Sequence, residues 1–313
     1  MKRHVVLTLM IFLMICSTAS AQKLVLMLDW FPNVDHLPVY LAQESGYFAE
    51  QGLEVEIIIP SETSDALKLA AAGQVDLAVS YQPQTIMAAD AGLQVKAVVP
   101  LVVKPLTTLM FLDQSIKTPA DLSGKKIGYT VPGFMDMLLK GFADINGITD
   151  YTPVNVGFTI LPALLSQQVA AVMGPFKTYE TVTMQQQGVE PRFFELEKYG
   201  IPEYEELIFA AGAATLEKKK EAVHGFVLAL SKALADIKKD PDNALSRYFN
   251  ALPEVDKETE TKAFALTAAY FAAPGQVSHP EKWQAFIDFS LKYGLIKNTL
   301  SPRDLIYTWN NNN

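Results

Sequence analysis

The run Leu28-Asp29-Trp30-Phe31-Pro32-Asn33-Val34-Asp35-His36 sets an indole, two carboxylates, an amide and an imidazole on one short segment. Groups of these types can sandwich a flat heterocycle and read its polar edges. No activated nucleophile accompanies them: no serine sits in a G-x-S-x-G elbow. Gly124-Lys125-Lys126 lacks the upstream glycine and the Lys-Ser/Thr pair of a phosphate loop. His36, His224 and His279 are too far apart in the chain to show metal-ligand spacing. The chemistry on offer is capture of a small molecule, with no metal and no cofactor.

Each candidate also has a plainer reading. Burying Trp30 in a core would bury Asp29, Pro32 and Asn33 with it at a polar cost, so a cleft lining fits better. Asp29 can accept from a ligand amino group or cap the following turn. His36 enters a helix, where histidines also cap and pack. Tyr81 follows a strand and precedes Pro83, so it projects at the strand end toward a ligand or a second lobe. Gly133 belongs to a loop that opens a helix, and the free backbone N–H groups there can bind an acceptor.

Alternating strand and helix must position these groups. Lys23 to Leu28 reads as a strand, Leu37 to Gln51 as a helix ending at Gly52, and Leu53 to Ile59 as a strand. Ser64 to Ala72 reads as an alanine-rich helix stopped by Gly73, and Val75 to Ser80 as a strand. The same grammar restarts with the strand Ile127 to Thr130 and a helix from Phe134 to Ile145. Leu161 to Gln168 (helix), Val169 to Met173 (strand) and Phe176 to Gln187 (helix) follow. Repeated strand–helix–strand units imply a mainly parallel sheet with helices on its faces.

The expected architecture is α/β with two lobes and two hinge crossings, near Lys104 to Leu112 and Leu207 to Gly212. Lobe 1 comprises residues 22–107 and 208–313, and lobe 2, residues 108–207, is inserted into it. The region from Thr215 onward reads as mostly helical, with a polar tail at Asn310 to Asn313. Ligands of open α/β sheets sit beyond the carboxyl ends of the strands. The loops Asp29–His36, Ser80–Gln84, Thr130–Asp136 and Gly174–Glu180 should therefore line one cleft.

Bulk properties agree with an exported binding module. Lys2 and Arg3, the apolar run Val5 to Ile15 and Ala19-Ser20-Ala21 read as a secretory signal cleaved after Ala21. Cys16 offers lipoprotein processing as a rival, but Ile15 is bulky where such a signal carries a small residue. Cleavage would remove the one cysteine, leaving a large core to hold the fold. The formal net charge of −8 argues against nucleic acid and anionic membranes as partners.

Leu28-Asp29-Trp30-Phe31-Pro32-Asn33 with His36 resembles the start of the bacterial formylaminopyrimidine-binding proteins, the substrate-binding components of ABC importers for thiamine pyrimidine precursors. Gly46-Tyr47-Phe48 with Gly52-Leu53, Gly73-Gln74-Val75-Asp76-Leu77-Ala78 and Ser80-Tyr81-Gln82-Pro83 extend the likeness. The resemblance implies a two-lobed periplasmic-binding-protein fold of type II, shared with the eukaryotic thiamine-pyrimidine synthases. It implies a pyrimidine ligand, a membrane permease as partner, and a monomer that binds without catalysis. It also implies that Trp30 stacks on one ring face, Phe176 covers the other, and Glu180 binds the ring edge. Phe176 and Glu180 would share a helix face by their i, i+4 spacing, although glutamate at such a place is ordinarily solvent-facing.

The family commonly has tyrosine at Phe176 and tryptophan and histidine at Lys177 and Tyr179. Asp29, Asp35, Asp136 and Glu180 around the cleft, against Lys177 alone, favour a neutral or amino-bearing ring over sulfonate, nitrate or phosphate. The alternatives are a binding protein for another small solute, such as a riboflavin-like ring, a sensor domain, or a pyrimidine synthase. The synthases resembled carry a cysteine-rich run and a cofactor-bearing lysine near histidines.

Overall fold

A computed structural model describes residues 21–309. Residues 1–20 of the expected signal, Cys16 among them, and the Asn310–Asn313 tail therefore lie outside the described residues. Ten strands form two five-stranded sheets. The first holds β1 (Gln22–Met27), β2 (Leu53–Ile58), β3 (Leu77–Ser80), β4 (Val95–Val102) and β10 (Leu207–Gly212), in the order β2-β1-β3-β10-β4. The second holds β5 (Thr107–Phe111), β6 (Lys126–Tyr129), β7 (Thr152–Asn155), β8 (Ala171–Phe176) and β9 (Arg192–Glu195), in the order β7-β6-β8-β5-β9.

The two sheets share one plan. Three strands at one side are parallel, and the fourth, antiparallel, strand is the one that has just arrived from the other sheet. Each sheet is mixed, with four of its five strands running the same way and the one delivered by the crossing reversed. β3, β4, β8 and β10 are nearly continuous apolar runs, as strands covered on both faces must be. The C-terminal helices, chiefly Lys220–Lys239, Pro241–Ala251, Lys257–Thr267 and Pro280–Lys292, pack mostly on the first sheet's side.

The two crossings run side by side and are tied by Glu206. Its buried carboxylate accepts from Leu106 N, Thr107 N (2.7 Å), Thr107 Oγ1 (2.7 Å) and Tyr204 OH (3.3 Å). Neighbouring Glu205 faces the C-terminal helices, accepting from Ser278 Oγ (2.7 Å), His279 N (3.1 Å) and Trp283 Nε1 (3.0 Å).

Two local expectations change. The helix expected over Leu37 to Gln51 is broken into Leu37–Glu44 and Tyr47–Glu50, because Gly46 takes φ +73°, a left-handed conformation that ends a helical run. The strand expected to end at Met173 continues through Phe176, and the next helix spans Glu180–Gln186. Pairing with β5 extends it: Thr107 lies opposite Phe176, and Thr108 Oγ1 donates to Pro175 O at 2.8 Å.

Candidate functional site

The loops after β1, β3, β6 and β8 converge on one narrow cavity, at the strand ends where open α/β sheets bind ligands. The cavity volume is only about 20 Å³, so a ring enters only as the walls part. Asp29, Trp30, Asn33, His36, Tyr81, Phe176 and Glu180 all line it. Asp35, Thr130, Ile160, Gly174, Tyr179 and Leu207 complete the lining. Among these residues there is no lysine, arginine or cysteine.

The wall after β1 is a rigid turn. Asn33 caps the short 3-10 turn Val34–His36: its Oδ1 accepts from Asp35 N at 2.8 Å, and its own N–H points at His36 Nδ1 at 3.4 Å. With Nδ1 accepting, His36 Nε2 carries the hydrogen and donates to Asp29 Oδ1 at 2.8 Å. Asp29 Oδ2 accepts from Tyr81 OH at 2.6 Å. Asp29 therefore does not cap the turn, and each of its oxygens already accepts one hydrogen bond. It is a buried clamp that holds His36 and Tyr81 against the cavity, and Asn33 does the capping.

The opposite wall comes from β8 and the segment after it. Phe176 stands at the end of the strand, and its ring packs edge-on against Tyr81 at 6.4 Å between centroids. The shared helix face expected for Phe176 and Glu180 is not formed, since Phe176 precedes the helix. They meet through a backbone contact instead: Phe176 N donates to Glu180 Oε2 at 2.6 Å. Glu180 keeps partial exposure, yet desolvation pushes its carboxyl up to about 7, against the backbone N–H groups of Phe176 and its own residue.

Trp30 and Phe176 line the same cavity without forming a ring pair with each other. Trp30 packs on Phe158 from the second sheet's side, centroids 4.6 Å apart, and Phe31 meets the same ring at 4.8 Å. Nothing in the sequence pattern singled out Phe158, which lies in an irregular loop before the helix Ile160–Leu165. Further bonds draw the two sides together: Tyr179 OH donates to Glu260 Oε1 at 2.8 Å, and Thr63 Oγ1 to Thr130 O at 2.7 Å.

Two other expectations are corrected. Gly133 is exposed and outside the lining, and its N–H is consumed by Asp136 Oδ1 at 2.7 Å. Lys177 offers no cation to the cavity, because its ammonium is held by Glu195 and Glu197, each at 2.9 Å. The lining carries three carboxyl groups and no lysine or arginine.

Gly174 is required by close approach. It has φ +132°, and a Cβ built there would lie 2.1 Å from Thr130 Oγ1 and 3.0 Å from Thr130 Cβ. Gly174→Ala is expected to destabilise the protein by about 1–3 kcal/mol, from combined backbone strain and displacement of Thr130. Urea unfolding of the variant and parent checks this, and equal midpoints would show that the loop yields freely.

A pH effect on the unliganded protein follows from the buried carboxyls. Burial pushes Asp35 from 3.8 to about 7, and Glu180 and Glu206 from 4.5 to about 7. Between the ordinary carboxyl range and about 7 the unfolded chain has lost these protons while the folded chain retains them. Stability contributed by these groups is thus present at the acid end of that window and declines as pH rises toward 7. Melting temperatures measured across it without ligand should fall from these groups, and the fall should shrink in Glu180→Gln and Asp35→Asn.

Comparison with known proteins agrees with the geometry. The formylaminopyrimidine-binding protein of Halalkalibacterium halodurans is 35% identical over 267 residues, covering 80% of this chain and 81% of that one. A 4-amino-5-hydroxymethyl-2-methylpyrimidine phosphate synthase of Saccharomyces cerevisiae is 26% identical over 306 residues, covering 93% and 88%. The solved alkanesulfonate-binding protein of Xanthomonas axonopodis pv. citri, bound to MOPS, superimposes with a TM-score of 0.71 at 16% identity, covering 92% and 98%. That superposition shows the periplasmic-binding-protein fold. A family profile described as NMT1/THI5 like matches residues 33–244. With that match spanning more than half its length, the chain belongs to the NMT1/THI5-like family.

Proposed function

We propose that this protein is the solute-binding component of an ABC importer and captures a pyrimidine precursor of thiamine, of the formylaminopyrimidine or hydroxymethylpyrimidine type. The observation that carries the reading is the lining: aromatic walls, three carboxyl groups and no lysine or arginine. A sulfonate or nitrate would meet repulsion there, whereas an amino-bearing ring supplies the donors that carboxylates accept. The fold shared with an alkanesulfonate-binding protein thus supports the capture mechanism, while the lining chooses the ligand class.

In this reading residues 22–107 with 208–313 form one lobe and 108–207 the other, pivoting on the crossings that Glu206 joins. The ligand is held between Trp30 and Phe176. Glu180 takes the ring edge, and Asn33, His36 and Tyr81 complete the wall that Asp29 clamps. Closing brings Tyr179 onto Glu260 and Trp30 onto Phe158, and the closed form presents both lobes to a membrane permease. The protein works as an exported monomer, its signal removed after Ala21. We read it as a binder without catalysis, because the formylaminopyrimidine-binding protein matches at 35% identity and the synthase at 26%.

A thermal-shift screen of residues 22–313 tests the reading, with formylaminopyrimidine, hydroxymethylpyrimidine, thiamine, riboflavin, taurine and nitrate. A ligand at about 100 times its Kd stabilises the native state by about 2.7 kcal/mol, a readable rise. A rise confined to the pyrimidines is expected. A rise with taurine or nitrate instead would keep the closing mechanism and remove the pyrimidine.

A further inference from the structure

Asp35 lines the cavity and is 1% exposed, yet neither of its carboxylate oxygens has a hydrogen-bond partner. Its position is not slack. The turn Val34–His36 is fixed at both ends by Asn33, which receives the Asp35 backbone N–H and is joined by its own N–H to His36. The groups around the side chain are His36 and Asp29 on the same wall, Thr267 from the helix Lys257–Thr267, and Glu180 from the opposite wall. Tyr179 is also close enough to feel its charge. Thr267 favours the carboxylate, but its Oγ1 does not reach hydrogen-bond geometry and is itself without a partner.

The other two carboxyls of the lining are committed differently. Both oxygens of Asp29 are occupied, by His36 and Tyr81, and one oxygen of Glu180 takes the Phe176 N–H. Asp35 therefore holds the largest unmet acceptor capacity in the cavity. A buried carboxyl left without donors is costly to a fold, and the cost is offset when a ligand brings the donors.

We propose that Asp35 is a specificity-determining residue that accepts a hydrogen bond from the exocyclic amine of the bound pyrimidine, on the opposite wall from Glu180. This rests on the pyrimidine reading and adds to it a residue and an atom of the ligand. Burial that pushes the Asp35 carboxyl up to about 7 is in keeping with a site desolvated for this purpose.

The test is a double-mutant cycle read by isothermal titration. Wild type and Asp35→Asn are each titrated with 4-amino-5-hydroxymethyl-2-methylpyrimidine and with its counterpart carrying hydrogen in place of the 4-amino group. Asp35→Asn should weaken the amino ligand roughly 10-fold or more and leave the counterpart within about twofold. An equal loss for both ligands, or none for either, overturns the assignment while leaving the pyrimidine reading standing. Failure of the wild type to bind either of these ligands overturns this inference, and failure to bind formylaminopyrimidine as well removes the pyrimidine reading. The wild-type protein gives a second measurement that needs no variant: the ¹³C resonance of the Asp35 carboxyl should move with the amino ligand and stay put with its counterpart. An unmoved resonance at saturation contradicts the proposal.

Discussion

Glu180→Gln is expected to weaken pyrimidine binding by about 1.5–3 kcal/mol, roughly 10- to 150-fold in Kd, which is the range for losing a hydrogen bond to a charged group. The change is small in shape. A glutamine oxygen can still accept from Phe176 N, the contact that fixes this side chain at 2.6 Å, so the loop after β8 keeps its course. What disappears is the charge, and with it the ability to take an N–H donor in a charge-assisted bond inside a desolvated cavity. The same substitution removes a carboxyl that burial disfavours. The unliganded variant should therefore melt no lower than the parent at pH above about 7, where Glu180 in the parent is ionised. Titration calorimetry with melting curves separates these effects: weak binding with an intact or raised melting temperature is the expected pair. Undiminished affinity would place Glu180 outside the ligand's reach.

Trp30→Ala carries an effect of similar size through a different force. Removing the indole deletes a stacking plate, worth about 1–3 kcal/mol per base by analogy with nucleobase–aromatic contacts. It also removes the contact with Phe158 that joins the two sides over the cavity. Both losses favour the open arrangement, so the variant should show a weaker Kd and a smaller compaction on ligand addition by small-angle scattering. Trp30→Phe keeps a ring at the position and should recover part of the affinity. If alanine and phenylalanine behave alike and neither differs from the parent, the stacking role is wrong.

Much of this site was readable from the chain because it is built from strand-end loops, and strand ends are marked by local pattern. The four loops expected to converge supply most of the lining, Asp29 to Asp35 and His36 above all. What failed was non-local. The continuation of β8 to Phe176 depends on β5, far upstream, whose Thr107 lies opposite it. No local pattern shows that pairing, and so the residue was placed on a helix. The chain leaves Asp29 as a ligand acceptor or a turn cap, because its partner Tyr81 arrives from a separate strand end. Asp35 reads from the chain as one more charge around the cleft; its burial, against the packed helix Lys257–Thr267, is not visible there. Gly133 is the opposite case. Asp136, three residues on, is well placed to take its N–H, and the helix start needed no ligand.

Isothermal titration of residues 22–313 with formylaminopyrimidine, run beside taurine, addresses the central claim most directly. The cavity of three carboxyls, aromatic walls and no basic side chain predicts one-to-one binding of the pyrimidine and no measurable heat with the sulfonate. Saturable heat with taurine, or none with the pyrimidine from a folded sample, would contradict it.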